Sequence, residues 1–160
     1  MAFCAWLSEQ LAETLPAGYV VRLPSEAEWE VAASAALNAP RRTYPWGEAE
    51  PTPERAIYDA SGLDTPAPVG VCPAGAAACG ALDLAGNVWE WCGSRYKSYP
   101  ALGQVLAKDF PPDSSFDVLV RGGGWRERST SVRCGARVRV LPLYGVVIGG
   151  FRLVVALRSH

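Results

Sequence analysis

Between positions 44 and 81 the chain is dense in proline, glycine and alanine, with neither the three-and-four spacing of a helix nor the alternation of a strand. Irregular backbone of that length needs anchors inside a compact domain, because its residues must be ordered without a ladder of regular hydrogen bonds. Tyr44, Trp46 and Tyr58 are the aromatic residues placed to provide them. The remaining sequence must supply the regular elements that hold both ends of this stretch.

Phe3, Trp6, Leu7, Leu11 and Leu15 recur at helical spacing and predict a first helix over about 3–14 with one buried apolar stripe. Gly18 stops it, and positions 19–23 are short and β-branched enough for a strand. Ser25-Glu26-Ala27-Glu28 is a capping box: the Ser25 hydroxyl accepts from the Glu28 amide while the Glu28 carboxylate accepts from the Ser25 amide. A second helix should run from there to about Leu37, with Pro40 closing it. Further on, 82–91 reads as turn plus strand, 97–115 as loop and 118–121 as strand; 131–139 alternates polar with apolar residues, and 150–157 resembles a last strand. Two helices, small sheets and much loop make an α+β chain.

At 160 residues and 49% hydrophobic, the sequence fits one domain, 1–160, with no repeat and no dividing linker. Fifteen basic against sixteen acidic residues leave a net charge of −1, so no field gathers nucleic acid or anionic lipid. Arg121, Arg126, Arg128, Arg133, Arg137 and Arg139 do cluster; such a run is a solvated face or a set of structural ion pairs, with a specific anion site as the alternative. No apolar run is long enough for membrane insertion, and the first residues show no basic leader and no signal-like apolar core. The expected location is therefore cytoplasmic, or in a phage or surface assembly. Five cysteines are an odd number. Cys72 and Cys79 flank a flexible loop that can close into a disulfide, or they remain two buried thiols.

Four segments then occur in order: Arg22-Leu23-Pro24-Ser25-Glu26-Ala27-Glu28-Trp29-Glu30; Tyr44-Pro45-Trp46-Gly47; Leu82-Asp83-Leu84-Ala85-Gly86-Asn87-Val88-Trp89-Glu90-Trp91; and Arg121-Gly122-Gly123-Gly124-Trp125 followed by Gly150-Phe151-Arg152. This ordered set resembles the formylglycine-generating enzyme and sulfatase-modifying-factor family. The resemblance implies a C-type-lectin fold, in which two helices pack on small twisted antiparallel sheets and long loops form a face. It also implies that the leading strands usual in that family are absent here. Trp29, Trp46, Trp89, Trp91 and Trp125 would serve as core pins. The glycine run reads as a bulge or close backbone approach beside Trp125, since no helix start follows to make it a phosphate cradle.

Asn87, the Val88 carbonyl and Glu90 are hard oxygen donors suited to calcium, and the matching residues of the family help hold that ion. The competing reading has Asn87 capping a turn and Glu90 paired with an arginine. A second calcium site of the family uses an asparagine where this chain has Ile57, which offers no side-chain oxygen. Formylglycine formation resembles a copper and dioxygen reaction on two thiolates just after the glycine motif. Positions 125–133 hold no cysteine, and His160 is the sole histidine, so neither that thiolate pair, nor a Ser-His-Asp relay, nor the histidine cluster of iron-type relatives is present. Cys134 matches a structural position of the family. The expectation is a protein that is not an enzyme, with a degenerate modifying enzyme and an accessory domain with a fixed partner as the alternatives.

Between Arg137 and Gly150, where family members are rich in Asn and Arg, this chain carries an apolar run. Its residue types are reachable from an asparagine codon by changing two adenines, and Lys, Glu, Gln, Trp and Met are absent from it. That pattern resembles the variable proteins of diversity-generating retroelements. It implies a variable ligand-binding region at about 126–148, made of Arg126, Arg128, Ser131, Val138, Val140, Leu141, Leu143, Tyr144, Val146, Val147 and Ile148, facing a protein or other macromolecular ligand. Glu127 does not fit the codon rule. On periodicity alone the run is an ordinary buried strand.

Overall fold

The computed structural model describes residues 2–35, 40–96, 117–141 and 149–158. Helix α1 spans Ala2–Gln10 and strand β1 Tyr19–Arg22, separated by a turn in which Gly18 adopts a φ of +82°. Helix α2, Glu26–Ser34, begins where the capping box places it: Ser25 N donates to Glu28 Oε2 at 2.8 Å and Glu28 N to Ser25 Oγ at 3.2 Å. Positions 36–39, where that helix was expected to end, lie outside the described residues.

Arg22 grips the same Glu28 carboxylate with two bonds of 2.7 Å. That guanidinium, aided by the Ser25 donors, holds the Glu28 carboxyl at about 2, against an ordinary 4.5. A carboxyl with a depressed folded pKa contributes stability above its unfolded pKa and loses it as pH falls through the folded one. Glu28→Gln should therefore flatten the acid limb of a stability profile between about pH 4.5 and 2. Urea unfolding across that window checks it.

The long middle stretch is irregular as expected, with 3-10 turns at Asp59–Ser61 and Pro73–Gly75. Its anchors are buried: Tyr44 is 3% exposed and Tyr58 7%, and Trp46 stacks on Tyr44 at 5.3 Å between ring centroids. β2, Trp89–Arg95, and β3, Val118–Arg121, form the centre of a four-stranded sheet. β4, Arg137–Val140, lies antiparallel to β3 in the register Val120↔Val138. Positions 97–116 lie outside the described residues.

The last expected strand is two strands. β5, Gly149–Gly150, runs parallel to β2 at Trp89 and Glu90, whereas β6, Val154–Leu157, pairs antiparallel with β1 in a separate sheet. The chain changes sheet because Gly150 is wedged against Val88 and Arg152 turns inward to Glu90. One parallel pair thus interrupts the antiparallel sheets that were expected.

Trp29, Ala33, Leu84, Cys92, Leu119 and Cys134 form the main core, where α2 meets β2 and β3. Trp29, Trp89 and Trp125 are 1%, 5% and 7% exposed, and each such burial contributes roughly 1.5–3 kcal/mol or more. The α1 stripe departs from expectation. Phe3 and Trp6 are 48% and 52% exposed, and Cys4 is the buried residue of that helix.

Candidate functional site

The glycine run Gly122–Gly124 places the loop that follows it. Gly122 and Gly123 hold φ of +96° and +78°, and a Cβ on Gly123 would lie 2.8 Å from the Ser131 carbonyl oxygen and from Val132. Only glycine lets the backbone pass so close, as the close-approach reading expects. Trp125 follows, buried against Ile57 and Cys72. Its amide donates to Asn87 O at 2.9 Å, while its indole N–H is buried without an acceptor among the described residues.

Immediately after Trp125 the side chains turn outward. The Arg126 guanidinium lies over the Trp125 ring at 4.2 Å from its centroid, an arrangement that orients the charge while leaving it in solvent. A cavity of about 400 Å³ opens there, walled by Asp59, Gly62, Leu63 and Asp64 on one side and by Trp125 and Arg126 on the other. Two carboxylates, one guanidinium, an indole and an exposed leucine suit a ligand that carries both charges on an apolar body. Glu127 is tied inward: its carboxylate accepts from Trp89 Nε1 at 3.1 Å and its carbonyl from Asp59 N at 3.0 Å. It belongs to the frame.

Of the expected binding residues, Arg126 and Arg128 are exposed and Ser131 is half-buried in the turn Ser129–Ser131. On β4, Val138 and Leu141 are 39% and 40% exposed, and Val140 is half-buried. Leu143, Tyr144, Val146, Val147 and Ile148 lie outside the described residues. The arginine cluster divides. Arg121 and Arg137 form ion pairs with Glu26 and Glu30 of α2, Arg139 pairs with Asp117 at 3.4 Å, and Arg126 and Arg128 face solvent. Sequence reasoning gave no hint of Asp59, Leu63 and Asp64, because no motif marks them and the loop folds back over an interval of more than sixty residues.

The residues chosen for calcium serve other partners. Asn87 sits at φ +65° and clamps Ala67, accepting from its N–H at 2.9 Å and donating to its carbonyl at 3.1 Å. Glu90 accepts from Trp29 Nε1 at 2.6 Å and from Arg152 Nε and Nη2 at 2.5 and 2.6 Å. Val88 presses its side chain against Gly150. A carboxylate already neutralised by a two-pronged arginine is a poor cation ligand, so this set does not fit a calcium centre. Nor do the described residues fit copper or iron, since no three His, Cys, Asp or Glu side chains among them converge. Ile57 is buried and gives only its carbonyl, to Asn87 N.

All five cysteines are free thiols. Cys72 and Cys79, read either as a disulfide or as two buried thiols, are unbridged, with Cys72 buried and Cys79 exposed, and they donate to different carbonyls, those of Pro53 and Ala32. Cys92 and Cys134 are buried and burial pushes both thiols up to about 12, which makes them inert core residues. Cys134 thereby has the structural place expected for it.

The α+β architecture, with two helices, curled sheets and a loop face on tryptophan anchors, is that of the C-type-lectin-like folds. The chain belongs to the family of the sulfatase-modifying factor enzyme 1-like domain, matched over residues 1–157. Hercynine oxygenases from Mycolicibacterium thermoresistibile and Mycobacterium tuberculosis are each 38% identical to it over 89% of this chain. Among solved structures, Treponema denticola variable protein 1 superposes with a TM-score of 0.62 and 27% identity, over 84% of this chain and 47% of its own. This chain spans 33 and 34% of the length of the two oxygenases.

The expectation that the protein is not an enzyme is corrected by these relatives, because proteins this similar over most of the chain are oxygenases. The missing thiolates and histidines were counted over 160 positions only. Two thirds of each oxygenase lies beyond the shared part, where such an inventory has no reach. No helix among the described residues is long and apolar enough to cross a membrane.

Proposed function

We propose that this chain is a ligand-recognition domain whose face includes Arg126, Arg128, Ser131, Val138, Val140 and Leu141. One observation carries the reading. Trp125, Val132 and Cys134 are at most 7% exposed, yet Arg126, Arg128, Val138 and Leu141 between and beyond them face solvent. Recognition side chains on rigid anchors lose little entropy on binding. The exposed apolar members of the set, Val138 and Leu141, suit a protein ligand. The codon pattern and the likeness to a variable protein support a retroelement as the source of this face. Sequencing sibling genes and their surroundings tests it: a near-identical template repeat, adenine-specific differences over 126–148 and an adjacent reverse transcriptase are expected. Siblings that are fixed across that interval would overturn it.

A second reading is favoured by the cavity at Arg126 and by the oxygenase relatives. In it, Asp59, Asp64 and Arg126 hold a small charged substrate for an oxygenase reaction completed by groups outside this chain. Titrating hercynine calorimetrically into the protein tests this. Binding that weakens at least about tenfold in Arg126→Ala supports it, and an absence of heat up to millimolar ligand counts against it.

A further inference from the structure

Two guanidiniums of this chain share a cavity and pair with no carboxylate among the described residues. The cavity, of about 340 Å³, is walled by Arg42 and Thr43 on one side and by Arg133, Gly135 and Ala136 on the other. The two walls are joined where Cys134 N donates to Thr43 O at 2.8 Å, so Arg42 and Arg133, each one residue earlier in its segment, come to the same opening. Helix α1 and strands β1, β5 and β6 contribute none of its lining.

Both side chains are held by the frame. Arg42 Nη1 donates to the carbonyl of buried Pro45 at 3.0 Å, and Arg133 Nε donates to Thr130 O at 3.0 Å. Val132 and Cys134, on either side of Arg133, are 0% and 1% exposed, which fixes the backbone that carries it. Neither guanidinium forms an ion pair among the described residues, whereas Arg22, Arg41, Arg121, Arg137, Arg139 and Arg152 all do. Two like charges beside one cavity repel, a cost that an anion between them removes. Glu48 feels the Arg42 charge but is committed to Thr43. The Thr43 hydroxyl and amide donate to its two oxygens at 2.6 and 2.9 Å, and these bonds, followed by the Arg42 charge, hold its carboxyl below the ordinary range. The turn Arg133–Ala136 closes through Ala136 N to Arg133 O at 2.9 Å and leaves the Gly135 N–H without an acceptor among the described residues. A Cβ on Gly135 would meet no atom within 4 Å, so this backbone donor is approachable.

We propose that this cavity is a binding site for a small dianion of the phosphate class, free or carried by a small molecule, with Arg42 and Arg133 as its charged ligands. A guanidinium presents paired N–H groups that match two oxygens of a tetrahedral oxyanion, and each of these two keeps unused N–H groups beyond its anchoring bond. Two positive charges match a doubly charged ligand, and the Gly135 N–H adds a neutral donor at the same wall. The volume lies at the small end of ligand pockets, and a net charge of −1 gives the chain no field to gather a polyanion, so a small molecule suits the site and nucleic acid does not. The site shares no residue with the recognition face or with the cavity at Arg126, and its occupancy does not depend on the role of either.

Titration of inorganic phosphate into the whole 160-residue chain at constant ionic strength, followed by nuclear magnetic resonance at the Gly135 amide and the Arg133 Nε–H, tests the proposal. Saturable shifts with a dissociation constant on the order of 1 mM are expected, and chloride should give none. Arg133→Gln, at an exposed position, should weaken binding at least about tenfold, and Arg42→Gln should do the same. Glu48→Gln keeps an acceptor for Thr43 while removing a negative charge near Arg42. It should tighten binding about two- to fivefold, a gain that a damaged fold would not produce. Glycerol phosphate as a second probe separates the two sources: tighter binding than inorganic phosphate assigns a phosphorylated small molecule, equal binding assigns the free ion, and either supports the site. A response to phosphate no greater than that to chloride, or an affinity unchanged in Arg133→Gln, overturns the proposal.

Discussion

Arg121→Ala should lower the stability of the folded chain by about 3–5 kcal/mol, the range in which losing one partner of a buried ion pair falls. Arg121 is fully buried. Its guanidinium pairs with Glu30 and, at 3.3 Å, with Glu26, donates to the carbonyls of Cys134 and Ala136 at 3.0 Å each, and lies over the Trp29 ring at 5.6 Å. Alanine removes the charge that offsets two carboxylates, one of them in a side chain only 2% exposed. It also frees two carbonyls that then lack a donor, and it unroofs the central tryptophan. Arg121→Lys should recover only part of the loss, because an ammonium on a single stem cannot reproduce the forked contacts to two carboxylates and two carbonyls. Urea unfolding of the three proteins gives the comparison; a change below about 1 kcal/mol in the alanine variant would mean that the pair is solvated.

Gly86→Ala should be of similar size, on the order of 3–5 kcal/mol, from two separate causes. Gly86 holds φ +79°, a region costly for any residue with a Cβ, and a Cβ there would lie 2.2 Å from the backbone oxygen of Ile57. That oxygen is fixed because it accepts from Asn87 N at 2.7 Å, so it cannot yield without breaking the turn. Gly62→Ala is the control. It has φ +65° but open space around it, so it isolates the conformational part at about 1 kcal/mol. Thermal unfolding of both variants should separate the contact from the dihedral; equal losses would show that close approach at Gly86 contributes nothing.

The parts of the structure that were legible in the sequence are those decided locally. The Ser25–Glu28 box marks the start of α2 because both of its bonds close within three residues. The run Val118–Arg121 reads as a strand because all four residues are buried in the centre of a sheet. Where partners lie far apart in the chain, reading fails. Glu90 could be read as a metal ligand or as the partner of an arginine; the second reading holds, but that the arginine is Arg152, sixty-two positions away, was not legible. Phe3 and Trp6 have a true helical period, which identifies a face without saying what covers it. In the candidate site the Trp125–Arg126 side was legible from the glycine motif. The wall of Asp59, Leu63 and Asp64 was not, because nothing but the folded path of the loop brings it there.

The clamp at Asn87 has a consequence in time. Ile57, Ala67 and Trp125 all bond to this one residue, and Gly86 beside it bonds to Gly122. Each closure spends chain entropy over an interval of twenty residues or more, and the reward comes only when the set is complete. The cavity wall and the tryptophan loop therefore assemble together and late, and in a chain emerging during synthesis the cavity cannot close until the residues beyond Trp125 have been made.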